Sequence, residues 1–203
     1  LRVVLQPFDD AAWENCNAPG IFDGCLRDLG VRPSARKWRL LLCEFARRAF
    51  SEFHKVSLFA RALELGELWA DSGREPRDAA LVRRKLLQPG APREAWVGGA
   101  SWCVAEHPPS PRVPGLRPAL ADVYRELLPN PLRTLEWKTA WFTSTVRALA
   151  AQIYARQEFG ALPILADALQ DAGCDDEQIL THCRATKPHA RGCWVLDAVL
   201  GKT

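Results

Sequence analysis

Apolar residues recur at three- and four-residue steps along most of this chain, the spacing of a helix face turned toward a core. After Ser34, whose hydroxyl can accept a bond from a first-turn N–H, Trp38, Leu41, Leu42, Phe45, Ala49 and Phe53 form one wide stripe. Val146, Leu149, Ala150 and Ile153 repeat the pattern behind Thr143 or Ser144, with Gly160 as the expected stop. Pro163 fits the first turn of a following helix, whose apolar face is Ile164, Leu165, Ala168 and Leu169 and whose end is Gly173. Asp175 or Asp176 caps a third helix in this series, and Pro188 opens a fourth that carries Cys193, Trp194, Leu196 and Val199.

Shorter helical stretches precede these. One carries Trp13 behind Asp9 or Asp10, and one spans about Ile21 to Leu29. Others run from about Val56 to Ala70, from Pro76 through "RDAALVRRKLLQ", around Ala95 to Ala105, and over "PALADVYRELL". "VVL" near the start is a candidate short strand with no evident partner. Loops of a few residues join antiparallel neighbours. The expectation is an all-α fold, an irregular helical bundle or stacked helical hairpins of about eight to ten helices. Pro and Gly crowd residues 89–118, which predicts a linker or surface loop at 106–116 between an N-terminal helical region, 1–105, and a C-terminal one, 117–203. One continuous domain fits the same pattern.

Composition alters this picture little. The chain has 203 residues and 48% hydrophobic content, enough to bury a sizeable core. A net charge of +3 is too mild to argue for nucleic acid by itself. No run approaches the ~18 apolar residues of a membrane span, and "LRVVLQPFDD" has no signal-peptide core. Seven cysteines without dense, regular spacing predict mostly free thiols in a reducing cytoplasm.

Four constellations could carry chemistry. Cys174, Cys183, His189 and Cys193, with His182 beside Cys183, have the donor types of a zinc site in the order C-x8-C-x5-H-x3-C. If helical, His189 and Cys193 would share a face, being four apart. No C-x2-C knuckle is present, so small apolar packing of the thiols is expected, with no cofactor and zinc as the alternative. Cys183 or Cys193 with His189 has the elements of a nucleophile pair, but no Gly-rich turn flanks either cysteine. Asp167 and Asp171, then Asp175, Asp176 and Glu177, read as a solvated face and N-cap charges. Basic residues cluster at Arg36, Lys37 and Arg39, at Arg47 and Arg48, and at Arg83, Arg84 and Lys85, the candidates for a phosphate contact. Glutamates interleave with them, and helix-turn-helix or finger spacing is missing. P-loop, G-x-G-x-x-G, H-E-x-x-H and G-x-S-x-G motifs are also missing, which argues against the chemistries they serve.

"LPILADALQDAGCDDEQILTHCR" followed by "PHARGCWVLDAVLGK" resembles the C-terminal signature of an uncharacterised, multi-copy bacterial family of helical proteins. Trp13, Cys16, Ser34, Arg36, Lys37, Cys43, Arg47 and Arg48 match its N-terminal pattern, although that family often carries several cysteines where this chain has Cys43 alone. "LPILADALQDAG" is also similar to a segment of a small bacterial repeat-companion domain. The resemblance implies a helical fold and brings no activity. Helical hairpins and abundant aromatic side chains suit a non-enzymatic protein-interaction module, an adaptor or regulatory subunit whose partner is another protein. The alternative is a nucleic-acid-associated or metal-supported regulator that uses the basic helices.

Overall fold

The computed structural model describes residues 9–15, 19–53, 55–88, 100–105 and 119–202. Among them the chain is helical and without strands. "VVL" and the expected 106–116 linker lie outside the described residues. The helices are α1 (Asp10–Asn15), α2 (Pro19–Asp28), α3 (Ala35–Ala49), α4 (Ser57–Ser72), α5 (Ala79–Leu86), α6 (Ala119–Leu127), α7 (Ser144–Arg156), α8 (Leu162–Asp171), α9 (Glu177–Arg184) and α10 (Trp194–Leu200), with a further helical turn at 100–103. No helix among the described residues is long and apolar enough to cross a membrane.

Local signals set several boundaries. Asp9 accepts the Ala12 N–H, Ser34 the Lys37 N–H, Thr143 the Val146 N–H and Asp176 the Ile179 N–H, each satisfying a donor that the first turn leaves open. Two boundaries differ from the sequence expectation. α7 stops at Arg156, because Gln157 takes the left-handed conformation itself (φ 56°) and Phe159–Ala161 turn straight into α8. The last helix begins at Trp194, not at Pro188. Gly192 adopts φ 92°, which no right-handed helix contains, and Glu126 of α6 holds the Ala190 N–H.

α3 is the centre of the molecule, buried continuously from Arg39 to Ala46. One side packs Leu40 and Leu41 with Trp13, Phe22, Val123, Tyr124 and Leu127 of α1, α2 and α6. The other packs Cys43 and Ala46 with Phe59, Ala62, Val82 and Leu86 of α4 and α5, and with Cys103. α4 approaches closely because position 66 is glycine: a Cβ there would meet Cys43 Sγ at 2.6 Å and the Cys103 carbonyl oxygen at 2.8 Å. The third core joins α7 to α10 through Val146, Ile153, Leu165, Leu169, Ile179, Cys183, Trp194 and Val199. α6 follows the 106–116 stretch in sequence but packs on α2 and α3.

A seam separates α3, α4 and α6 from the 185–193 loop, α7 and α10. Polar side chains cross it. Arg36 reaches both oxygens of Asp197 at 2.6 and 2.9 Å, Asp71 at 3.2 Å and the Tyr154 hydroxyl at 2.9 Å. Lys37 Nζ donates to the carbonyls of Leu127 (2.8 Å) and Gly192 (2.7 Å) and pairs with Asp197 at 2.6 Å. Arg191 closes the group on Asp71 at 2.8 Å.

Candidate functional site

α6 presents Val123, Tyr124 and Leu127 to the core, and Glu126, three residues after Val123, falls on the same buried side. A carboxylate there must find donors or an ion. Its Oε1 accepts the Ala190 N–H at 3.1 Å, and its Oε2 accepts His189 Nδ1 at 2.9 Å. His182 Nε2, from α9, lies 3.5 Å from the same Oε2 and 3.3 Å from Cys193 Sγ. Glu126, His182, His189 and Cys193 thus each bring one donor atom within 4.8 Å of the others.

Trp194 orients the cluster. Its indole N–H donates to His182 Nδ1 at 3.1 Å, so the proton of the neutral ring sits on Nε2 and faces Glu126 and Cys193. Burial pushes the His182 imidazole down to about 4, outweighing the attraction of Glu126. Burial also pushes the Cys193 thiol well above its ordinary range. The His189 side chain is 5% exposed, and its Nε2 meets no hydrogen-bond partner among the described residues. His182 and Trp194 stand in the wall of a cavity of about 370 Å³, together with Trp13, Arg125, Asn130, Arg133 and Thr181.

Of the four ligand candidates expected from spacing, His189 and Cys193 meet here and Cys174 and Cys183 do not. They meet through the turn in which the Cys193 N–H donates to the Ala190 carbonyl at 3.0 Å, not through a shared helix face. Cys174 and Cys183 pack in the α7–α10 core, where burial pushes Cys183 up to about 12. His189 bonds across the seam to Glu126 of α6. The reading by spacing missed Glu126, 56 residues before His182 in the chain. Its one signal was a charge on the apolar side of "ALADVYREL". The nucleophile pair has no activated thiol, since the thiols of both Cys183 and Cys193 are raised. Asp167 pairs with Arg184 and Asp175 with Lys138 at exposed positions, and Asp176 is an N-cap.

Most of the basic candidates turn inward. Arg36 and Lys37 clamp the seam, and Arg39 donates to the carbonyls of Cys103 and Ala105. Arg47 pairs with Glu67 and Glu44, Arg48 with Glu44 and the Pro188 carbonyl, and Arg83 with Glu75 and the Val104 carbonyl. Arg84 and Lys85 are exposed on α5.

A second concavity, of about 360 Å³, lies at the α2–α3 corner, lined by Leu26, Val31, Pro33 and the half-buried Trp38. Arg27 and Arg32 line its edge, both exposed and without an ion pair among the described residues. Leu29, beside it, is 45% exposed. No family model matches this chain, and no curated protein or solved structure matches it either.

Proposed function

We propose that the chain is a non-enzymatic protein-interaction module, an adaptor or regulatory subunit, and that the α2–α3 corner is its recognition surface. The observation that carries this reading is that corner: an aromatic-floored groove flanked by two exposed arginines with no ion pair among the described residues. An apolar anchor in such a groove with carboxylates beside it is the chemistry of an acidic, aliphatic-bearing segment of another protein. The buried, protonated thiols and the neutral His182 support a role without covalent chemistry. The free state of all six described cysteines fits a reducing compartment such as the cytoplasm.

Nucleic acid is the weaker partner. Arg36, Lys37, Arg39, Arg47, Arg48 and Arg83 would each have to leave an internal acceptor to reach phosphate.

Screening the full chain against arrayed peptides that vary acidic and aliphatic content tests the proposal. The expected result is retention of acidic–aliphatic sequences, with affinity falling as salt rises and lost in the Arg27→Glu/Arg32→Glu double variant. Equal retention by wild type and variant, or preference for basic peptides, would remove the groove as the recognition surface. Steep, salt-dependent binding of generic DNA or RNA that survives the double variant would favour the nucleic-acid reading instead.

A further inference from the structure

We propose that Glu126, His182, His189 and Cys193 form a binding site for one divalent transition-metal ion, with zinc the ion their donor types suit best. The site does not depend on the recognition surface at α2–α3.

The donor set is the first argument. Two imidazole nitrogens, one sulfur and one carboxylate oxygen make a borderline-soft mixture. Calcium and magnesium take oxygen ligands, whereas zinc takes nitrogen and sulfur and accepts a carboxylate as a fourth donor. Geometry is the second. A tetrahedron with bonds of ~2.0–2.3 Å has edges of ~3.3–3.8 Å between its ligand atoms. The protein holds Glu126 Oε2 to His189 Nδ1 at 2.9 Å, His182 Nε2 to Cys193 Sγ at 3.3 Å and His182 Nε2 to Glu126 Oε2 at 3.5 Å. The widest separation is within 4.8 Å, so side-chain shifts of about an ångström complete the figure.

The cluster is also closed to solvent: Cys193 is fully buried, and the side chains of Glu126 and His189 are each 5% exposed. A carboxylate shut in with two imidazoles and a thiol is held there by hydrogen bonds or by an ion. The outer shell is already in place. The Ala190 N–H fixes Glu126 through Oε1 and leaves Oε2 turned toward the two imidazoles. Of the four ligands, His182 borders the cavity of about 370 Å³ that Trp194 also lines.

One consequence separates a metal site from a purely hydrogen-bonded cluster. His182 can ligate through Nε2 only after its proton moves to Nδ1, which the Trp194 indole N–H now occupies, and His189 can ligate through Nδ1 only after the proton it donates to Glu126 moves to Nε2. Binding therefore breaks the Trp194–His182 bond and moves the indole. The Cys193 thiol proton passes to solvent, so affinity falls as pH falls.

The test is titration of the chelator-stripped full chain with cobalt(II) as the spectroscopic stand-in for zinc. The expected result is one equivalent per chain, the intense visible bands of a tetrahedral ion, a thiolate-to-cobalt charge-transfer band, and displacement of both by zinc. Cys193→Ser should abolish the charge-transfer band and weaken binding by at least ~10-fold, as should Glu126→Gln for affinity. Cys174→Ser and Cys183→Ser should leave the spectrum unchanged. Trp194→Phe keeps every ligand, so it should still bind cobalt while losing most of the tryptophan emission change that zinc produces in wild type. Weak octahedral spectra, binding unaltered by Cys193→Ser, or no stoichiometric binding by folded wild type would each overturn the site.

Discussion

Asp197 is the most exacting place to test how the two sides of the seam are held. It is 2% exposed and accepts from Arg36 at 2.6 and 2.9 Å while pairing with Lys37 at 2.6 Å. Replacing it with alanine removes one anion and leaves two cations. Arg36 retains Asp71 at 3.2 Å and the Tyr154 hydroxyl, so most of the uncompensated charge falls on Lys37. Breaking one partner of a buried ion pair costs about 3–5 kcal/mol, because the remaining charge has lost both water and its counter-ion. For a chain of this size that corresponds to a fall of roughly 6–20 °C in melting temperature. Asp197→Asn, which keeps the shape and a hydrogen-bonding oxygen, should cost about 1.5–3 kcal/mol.

The loss should also depend on pH. Burial already lowers the Lys37 pKa against the attraction of Asp197, and removing Asp197 lowers it further. Between that lowered value and the unfolded value near ~10.4, the unfolded chain binds the proton that the folded chain has released. Stability therefore rises with pH across this window, and the deficit of Asp197→Ala should shrink from neutral pH toward pH ~10. Lys37→Met in the Asp197→Ala background should recover at least half of the loss, because it removes the stranded charge and keeps the volume. Urea unfolding followed by circular dichroism reads all four proteins. A loss below ~1 kcal/mol, the size of an exposed pair, would mean that the clamp is solvated and that the seam is held by apolar contact alone.

Gly66→Ala should destabilise by about 1–3 kcal/mol through collision with Cys43 Sγ and the Cys103 backbone, less up to about 1 kcal/mol of helix propensity, and Cys43→Ala should relieve part of it in a double-mutant cycle read by urea midpoints. Leu165→Ala, at a fully buried position, should cost about 2–5 kcal/mol, whereas its neighbour Ile164, 58% exposed, should tolerate alanine within about 0.5 kcal/mol in the same measurement. Gly192→Ala should cost about 2–4 kcal/mol, because φ 92° disfavours any side chain and the new Cβ would meet Leu40 Cδ1 at 2.8 Å; Leu40→Ala should relieve the collision but not the backbone part.

Helices were legible where local chemistry decides them. Ser34, Thr143 and Asp176 cap as hydroxyl and carboxylate spacing implies, and the stripes of α3 and α7 face their cores; in α8 Leu165 and Leu169 do so, whereas Ile164 is exposed and Leu162 and Ala166 take the buried places. The centrality of α3 was not legible. Arg39 and Glu44 interrupt its apolar surface, and only the structure shows each buried against partners, Arg39 on two carbonyls and Glu44 on Arg47 and Arg48. The basic residues of α3 read as an outer surface because sequence shows charge without showing its counter-charge. Asp71, Asp197 and Glu67 come from distant parts of the chain. The quartet was half legible for the same reason. His189 and Cys193 lie within one short segment, whereas Glu126 arrives from α6 across the seam. A helix drawn from Pro188 onward would have carried the imidazole away from it, and the Gly192 turn is what brings His189 and Cys193 to one point.

The clamp and the quartet dock the same loop, and this couples them. Lys37 holds the Gly192 carbonyl at 2.7 Å, the Gly192 Cα packs close to Leu40, and Cys193 follows directly; Ala190 and His189 rest on Glu126 two residues earlier. An ion bound by His189 and Cys193 therefore draws on free energy that Lys37 and Asp197 have already supplied by docking residues 185–193 on α3 and α6. If the docked loop is the ion-competent state, weakening the clamp lowers the population of that state and the apparent affinity falls in proportion. By reciprocity the bound ion must stabilise the docked loop by the same amount. Asp197→Ala, though it removes no ligand, should then weaken cobalt binding, while the spectrum of the bound ion stays that of wild type. Saturating zinc should in turn widen the stability gap between Asp197→Ala and wild type, because the variant gains less from the ion. Equal affinities in the two proteins would show that the quartet positions the loop by itself and that the ionic clamp serves α7 and α10 alone.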